Sequence, residues 1–152
     1  MKRIRFYLSV ILMLCLTSCK DSYYIENDLH GIWQVRSIER FSTGEKTEPQ
    51  GTLYYLFQRS MVSLCYNYLD IPEKLTNFIA HFDQIAPDSI GMGNFRKSTS
   101  GEGDKVDKED VLPVSILNKF GIYQDYEIFH VELSKEKLVF TSDSVRIVFR
   151  MY

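Results

Sequence analysis

Apolar and polar residues alternate in short runs along most of the chain. Gly31 to Phe41 sets Trp33 and Val35 against Gln34 and Arg36. Thr52 to Gln58 and Met61 to Leu69 are apolar on both faces, with Arg59-Ser60 as a tight connection. Thr76 to Gln84 alternates Phe78, Ala80 and Phe82, and Ser89 to Phe95 sets Ile90 and Met92 against Gly91 and Gly93. Three further runs close the chain: Tyr126 to Ser134 with Phe129, Val131 and Leu133, Lys137 to Ser142 with Leu138 and Phe140, and Val145 to Met151 with Ile147 and Phe149. A period of two marks strands with a buried face, so the pattern predicts eight strands. The gaps are turn-like: Ala86-Pro87-Asp88, Lys135-Glu136 and Asp143-Ser144, with Asp70-Ile71-Pro72-Glu73 as a turn or a single helical turn and Ser42 to Gly51 as a polar loop. Leu112 to Gly121 reads as a short helix, with Pro113 in its first turn and Gly121 as its stop. Lys97 to Lys105 has no apolar side chain, so residues 97 to 110 are expected to form a mobile loop inside one domain.

These elements predict an all-β fold. Eight consecutive antiparallel neighbours close into a barrel or split into a sandwich. Hairpin succession favours an eight-stranded up-and-down barrel with one short helix before the last three strands. Closure also hides the edges of aromatic strands such as Thr52 to Gln58.

The N-terminus has a different pattern. Lys2, Arg3 and Arg5 precede Phe6 to Leu16, which has only Ser9 as a polar residue. That is the length of a secretion-signal core and too short for a bilayer-spanning helix, which needs about 20 residues. Leu16-Thr17-Ser18-Cys19 follows, and it resembles the lipobox of bacterial lipoproteins, whose signal is cut before the Cys. The expected organisation is a signal peptide over 1–18, a lipid-bearing Cys19 with a tether to residue 28, and a domain over 29–152. Attachment of acyl chains such as palmitate at Cys19 would hold the protein on the bacterial cell envelope, on the outer membrane rather than the inner, through that covalent lipid.

Loss of 18 residues from 152 leaves 134, enough for one core. The signal takes three cations and no acids, so 15 cations face 20 acids, a net charge of −5. Such a domain does not read as a nucleic-acid binder, and a monomer is expected. With Cys15 removed and Cys19 acylated, Cys65 has no partner for an intrachain disulfide.

Gly31-Ile32-Trp33 at the first strand resembles the G-x-W that opens the calycin/lipocalin-like barrels. The run from Leu117 to Ile122, then Phe129 to Leu133, Lys137 to Phe140 and Arg146 to Arg150, resembles the closing half of small lipocalin-like lipoproteins. The likeness covers about residues 29 to 152. It implies a barrel plugged at one end by Trp33 and able to hold a small apolar ligand. It also implies an Arg from the last strand laid across that Trp, Arg150 in preference to Arg146. Lipocalins proper often have a disulfide and a longer helix beside the last strand. This chain has neither, which places it with the plainer bacterial kind.

Chemistry-bearing motifs are sparse. His30, His81 and His130 make no short-range metal pair, and His81 and His130 sit on the polar phase of their strands. There is no G-x-S-x-G, and Cys65 reads as a small buried hydrophobe. Gly91-Met92-Gly93 is too short for a phosphate loop, and the Glu109-Asp110 carboxylates are expected to be solvated. No metal, cofactor or enzymatic activity is expected. The remaining candidates are the inward aromatics and methionine: Tyr55, Phe57, Phe82, Met92, Phe129, Phe140 and Phe149. They either fill a solid barrel or leave a cleft at one end for one apolar molecule. Two roles follow: an anchored binder of a small hydrophobic molecule, or a solid-barrel interaction or inhibitor protein whose loops contact another envelope protein.

Overall fold

The computed structural model describes residues 25–66, 77–98 and 111–152. The signal segment, Cys19, the Asp70 to Glu73 turn and Glu109-Asp110 lie outside the described residues. Within them the chain forms α1 (Ile25–Leu29), β1 (Gly31–Arg40), β2 (Glu45–Thr47), β3 (Leu53–Gln58), β4 (Met61–Tyr66), β5 (Asn77–Ala86), β6 (Ser89–Gly93), β7 (Arg96–Ser98), α2 (Val114–Leu117), a 3-10 turn (Asn118–Phe120), β8 (Tyr126–Leu133), β9 (Lys137–Thr141) and β10 (Val145–Met151).

Eight strands, β1, β3, β4, β5, β6, β8, β9 and β10, pair antiparallel in that order, and β10 returns to β1 to close the barrel. The short β2 and β7 are additions, pairing with β1 and β5. Both fall where the sequence predicts loop. β2 contains only Glu45, Lys46 and Thr47, all exposed, and its backbone bonds rather than burial hold it. β7 takes residues 97 and 98 out of the expected loop, and 99 to 110 lie outside the described residues.

The inward phase of each strand builds one core. In β1 that phase changes: Trp33 and Val35 point in, then the next inward residue is Ile38. A register shift between Val35 and Ser37 against β10 accounts for the three-residue step, as a bulge does. A second bulge between Gln84 and Ala86 leaves Ile85 half exposed on the outer wall.

One end, the floor, is sealed by Trp33, whose indole Nε1 donates to Leu29 O at 2.8 Å. The sequence predicts a tether up to residue 28. Instead Ile25 to Leu29 folds as α1, because Ile25 and Leu29, four residues apart, share one helix face and both bury in the core. Gln84 Oε1 accepts from the Ile25 backbone N–H at 3.1 Å, pinning the start of the helix to β5. Ile25, three residues before the expected end of the tether, is therefore already part of the core.

Arg150 does not lie over Trp33. It shares the outer face with Gln34, its cross-strand partner, and its guanidinium donates to Gln34 Oε1 at 3.4 Å. The phase explains this: Phe149 and Trp33 face in, so their neighbours Arg150 and Gln34 face out. Arg146 is exposed on the same outer phase as Arg150.

Trp33→Ala should lower stability by about 3–5 kcal/mol, as large aromatic truncations do. Arg150→Ala should stay within about 0.5 kcal/mol, as exposed substitutions do. Urea denaturation of both variants checks the pair, and equal losses would contradict the outward placement of Arg150. Gly93 is needed for close approach: a Cβ there would meet Asp125 O and lie 2.7 Å from Tyr126 Cα, both backbone atoms of the adjoining strand and its lead-in. Gly93→Ala should cost about 1–3 kcal/mol by overpacking, read as a drop in thermal midpoint.

Candidate ligand site at the barrel mouth

The seven residues expected inside are all core residues: Tyr55, Phe57, Phe82, Met92, Phe129, Phe140 and Phe149. Six of them form one connected set of rings. Phe140 contacts Phe149 at 5.0 Å between centroids, Phe129 at 5.4 Å, Phe57 at 5.9 Å and Tyr55 at 6.4 Å, and Phe82 joins through Phe57 at 5.4 Å. Most of these pairs are edge-to-face, the arrangement that ring quadrupoles favour, worth about 0.5–1.5 kcal/mol each beyond burial. The middle of the barrel is thus packed with its own side chains, as an eight-stranded barrel permits.

The end opposite the floor is the mouth. Among the described residues, three stretches reach it: the β1 to β3 loop that contains β2, the segment from Val111 through α2 to β8, and the β9 to β10 turn. α2 and the 3-10 turn sit in the mouth as a plug. Leu117 and Phe120 are buried, and the Phe120 ring meets Phe78 edge-on at 5.7 Å. Tyr55 Oη, rising from the ring cluster, donates to Phe120 O at 2.7 Å. Gly121 then turns the chain at φ +88°, where a Cβ would lie 2.7 Å from Ile147 Cδ1, so glycine is required on both counts.

Beside the plug opens a cleft of about 500 Å³. Its inner wall is Ile38 and Leu53, both members of the core, and its sides are Tyr66, Tyr123 and the Thr47 to Thr52 loop. Lys119 and Asn118 of the plug and Glu48 of the loop supply its polar rim. Arg40 lies over the Tyr123 ring at 4.7 Å, and the Lys119 ammonium is 6.0 Å from the centre of the Tyr66 ring. The loop is braced by Thr52 Oγ1, which donates to Pro49 O at 2.7 Å. A second cleft, of about 390 Å³, lies on the outer wall between Met61, His81, Asp83 and Tyr126, where Ala80 is its contact with the core. His30, His81 and His130 are all exposed, and His130 pairs with Asp88 at 3.4 Å. Among the described residues, no three His, Cys, Asp or Glu side chains converge on a metal-sized site.

The mouth is organised by a group that the sequence reading passed over. Glu127 is 2% exposed. Its Oε2 accepts from the Tyr123 N–H at 2.9 Å, and its Oε1 accepts from Ser142 Oγ at 2.5 Å and from Ser144 Oγ. Three donors from two connections thus converge on one carboxyl group and tie the exit of the plug to the β9–β10 turn. The signal was present: Glu127 stands two residues before Phe129, on the inward phase of β8. Burial pushes the Tyr55 hydroxyl well above its ordinary pKa, with smaller contributions from the charge of Glu127 and from Tyr123. Tyr123 is raised by burial, while Arg40 pulls it down and Glu45 and Glu127 push it up. Cys65 is buried, and burial raises its thiol pKa against a lowering contact from Ser63.

A closed up-and-down barrel of eight strands, sealed at one end by a tryptophan and bearing its longer connections at the other, is the architecture of the lipocalin-like proteins. The chain belongs to that family: the model of the lipocalin-like domain matches residues 13–152. Two solved structures share the fold. A lipocalin-like protein from Bacteroides uniformis ATCC 8492 aligns with a TM-score of 0.55 at 21% identity, over 82% of this chain and 99% of that one. An uncharacterized protein from Bacteroides eggerthii DSM 20697 aligns with a TM-score of 0.59 at 22% identity, over 82% of this chain and 100% of the other. No curated protein is similar enough to the chain to match it.

Tyr55→Phe removes the bond to the Phe120 carbonyl and should cost about 1–3 kcal/mol, because that buried acceptor is left bare. It should also change the alkaline limb. A tyrosine whose folded pKa is raised favours the fold while neutral. Its contribution is intact below the ordinary value near 10.0 and is lost as pH rises toward the folded value. Stability of the wild type should therefore fall above about pH 10, and less steeply in Tyr55→Phe. Urea midpoints measured across that range test this, and identical slopes would refute it.

Proposed function

We propose that this protein is a lipid-anchored member of the lipocalin-like family that binds a small hydrophobic molecule at the mouth of its barrel, as a binding protein and not an enzyme. The observation that carries the reading is the mouth cleft of about 500 Å³ with Ile38 and Leu53 as its inner wall. That volume falls in the range of small-molecule sites, about 300–1,000 Å³, and the Tyr66 and Tyr123 rings add to the apolar wall beside the polar residues of the loop and the plug. The packed ring cluster supports the mouth, and not the middle of the barrel, as the place of binding. Anchoring is supported by residues 1 to 19 alone: a basic start, an apolar stretch and Leu-Thr-Ser-Cys. On that basis we assign the protein to the bacterial cell envelope, on the outer membrane in preference to the inner, as a monomer held by lipid on Cys19.

A second reading has its own support. The interior is full, and Phe41 (46% exposed) and Tyr66 (53%) present apolar surface at the mouth. A barrel of that kind can serve as an interaction or inhibitor protein, with its loops against another envelope protein.

Two measurements test these readings. Native mass spectrometry of the mature domain should find a small apolar molecule released on denaturation, and a clean apo mass with a co-purifying protein would favour the second reading. Cells fed labelled palmitate should label the wild type and leave Cys19→Ala unlabelled. Label retained by Cys19→Ala would remove the anchor.

A further inference from the structure

The plug is lightly held. α2 spans four residues and the 3-10 turn three, too short to be stable as isolated helix. Pro113 makes no side-chain cap bond. Among the described residues, Val114 to Phe120 is held by the burial of Leu117 and Phe120 and the bond from Tyr55 Oη, with backbone bonds at its two ends, Leu112 N–H to Phe95 O and Ile122 N–H to Leu117 O. Beyond it, Ile122 is fully buried and Tyr123 is fixed by its N–H to Glu127. The left-handed Gly121 separates the loosely held part from the firmly held part, which is where a hinge would lie.

The plug also has the form of a ligand. It offers the cluster an aromatic ring edge-on to Phe78 and a carbonyl oxygen to the Tyr55 hydroxyl. A molecule replacing it must satisfy that hydroxyl, because a buried donor left without an acceptor is costly. Glu127 places a carboxyl group at the same end of the barrel, close enough for its charge to act on Tyr55. An anionic group there would face the Glu127 carboxyl group, whose oxygens accept and offer it no donor, and Lys119 would leave with the plug while Arg40 is engaged with the Tyr123 ring.

We propose that Val114 to Phe120 occupies the protein's own ligand position. Ligand binds by displacing it, and the preferred ligand is a neutral apolar molecule of one or two rings carrying an acceptor oxygen. The inference rests on the binding reading above and specifies its ligand class and its control. Because the position under the plug is open only when the plug is out, the apparent affinity there is the intrinsic affinity reduced by the open fraction, while the cleft beside the plug is open in either state.

The probe is Prodan, a neutral naphthyl ketone, compared with the anionic 1-anilinonaphthalene-8-sulfonate. Two variants loosen the plug by different routes. Phe120→Ala removes its ring, and Gly121→Ala keeps the ring but sets a Cβ against Ile147. Each should bind Prodan about tenfold tighter than wild type, an open fraction raised by the same factor. Adding Tyr55→Phe to either should return most of that gain, and the sulfonate should gain less than Prodan. In the wild type, Prodan should increase amide exchange across residues 114 to 120 and leave Val131 and Ile147 protected, a readout that needs no variant to fold. Prodan bound by the wild type with no change in exchange, and no tighter by folded variants, overturns displacement while leaving binding at the mouth intact. A sulfonate gain equal to that of Prodan overturns the ligand class. Absence of any apolar probe binding in all forms overturns the binding reading as well.

Discussion

Phe140 touches Tyr55, Phe57, Phe129 and Phe149, and the barrel is wrapped around that contact. Eight strands fix a circumference whose interior is just filled by large side chains. Those rings come from β3, β8, β9 and β10, so their packing also holds together the strands that must meet for β10 to pair with β1. Once the middle is occupied, function is pushed to the ends. The floor is closed by Trp33 over α1, and the mouth is left as the place where apolar surface and polar groups meet.

The mouth is built around polar groups placed where a strand pattern alone would put apolar ones. A buried carboxyl group is tolerable only when its hydrogen bonds are made. Glu127 makes three, to Tyr123 N and to the hydroxyls of Ser142 and Ser144. Ser142 Oγ in turn accepts from the Ser144 and Val145 N–H groups at 3.2 and 3.3 Å. The network joins the turn of β9 and β10 to the segment leaving the plug, so Tyr123 is tied across two connections, where Val114 to Phe120 rests on Leu117, Phe120, the Tyr55 bond and backbone bonds at its ends. Under the proposed displacement, that contrast, more than the volume of the cleft, is what lets the mouth change.

The eight barrel strands were legible because alternation is the direct consequence of burying one face, and all seven inward residues, six aromatics and Met92, fell on the right phase. Elements held by backbone bonds alone were not legible. β2 is Glu45-Lys46-Thr47, which buries nothing and leaves no periodic trace. Ile25 looked like part of a polar tether because one apolar residue is too little to count as a pattern, and only its pairing with Leu29 in the floor gives it meaning. Arg150 was assigned to Trp33 by family likeness, although its own phase, opposite Phe149, already pointed outward. Glu127 was readable by the same phase argument and was missed because an acid two residues before a core Phe looks like noise unless its donors, 15 and 17 residues away, are known.

Under the proposed anchoring and binding, the two ends of the barrel separate attachment from recognition. Ile25, the first of the described residues, lies on the floor, buried beside Leu29 and bonded through its N–H to Gln84. Under the proposed anchoring, Cys19 precedes Ile25 by six residues, a reach of no more than about 20 Å when fully extended. Any pull from the membrane is then delivered to α1 and, through the bond of Ile25 to Gln84, to β5. The plug lies at the opposite end, across the length of β1 from Gly31 to Arg40. A domain tethered through its rigid floor can open and close its mouth without straining the tether. If the chain were instead attached beside Val114, every excursion of the plug would have to move the anchor. The arrangement therefore suits a site that works by local displacement, because the only part that has to move is the part that carries no load.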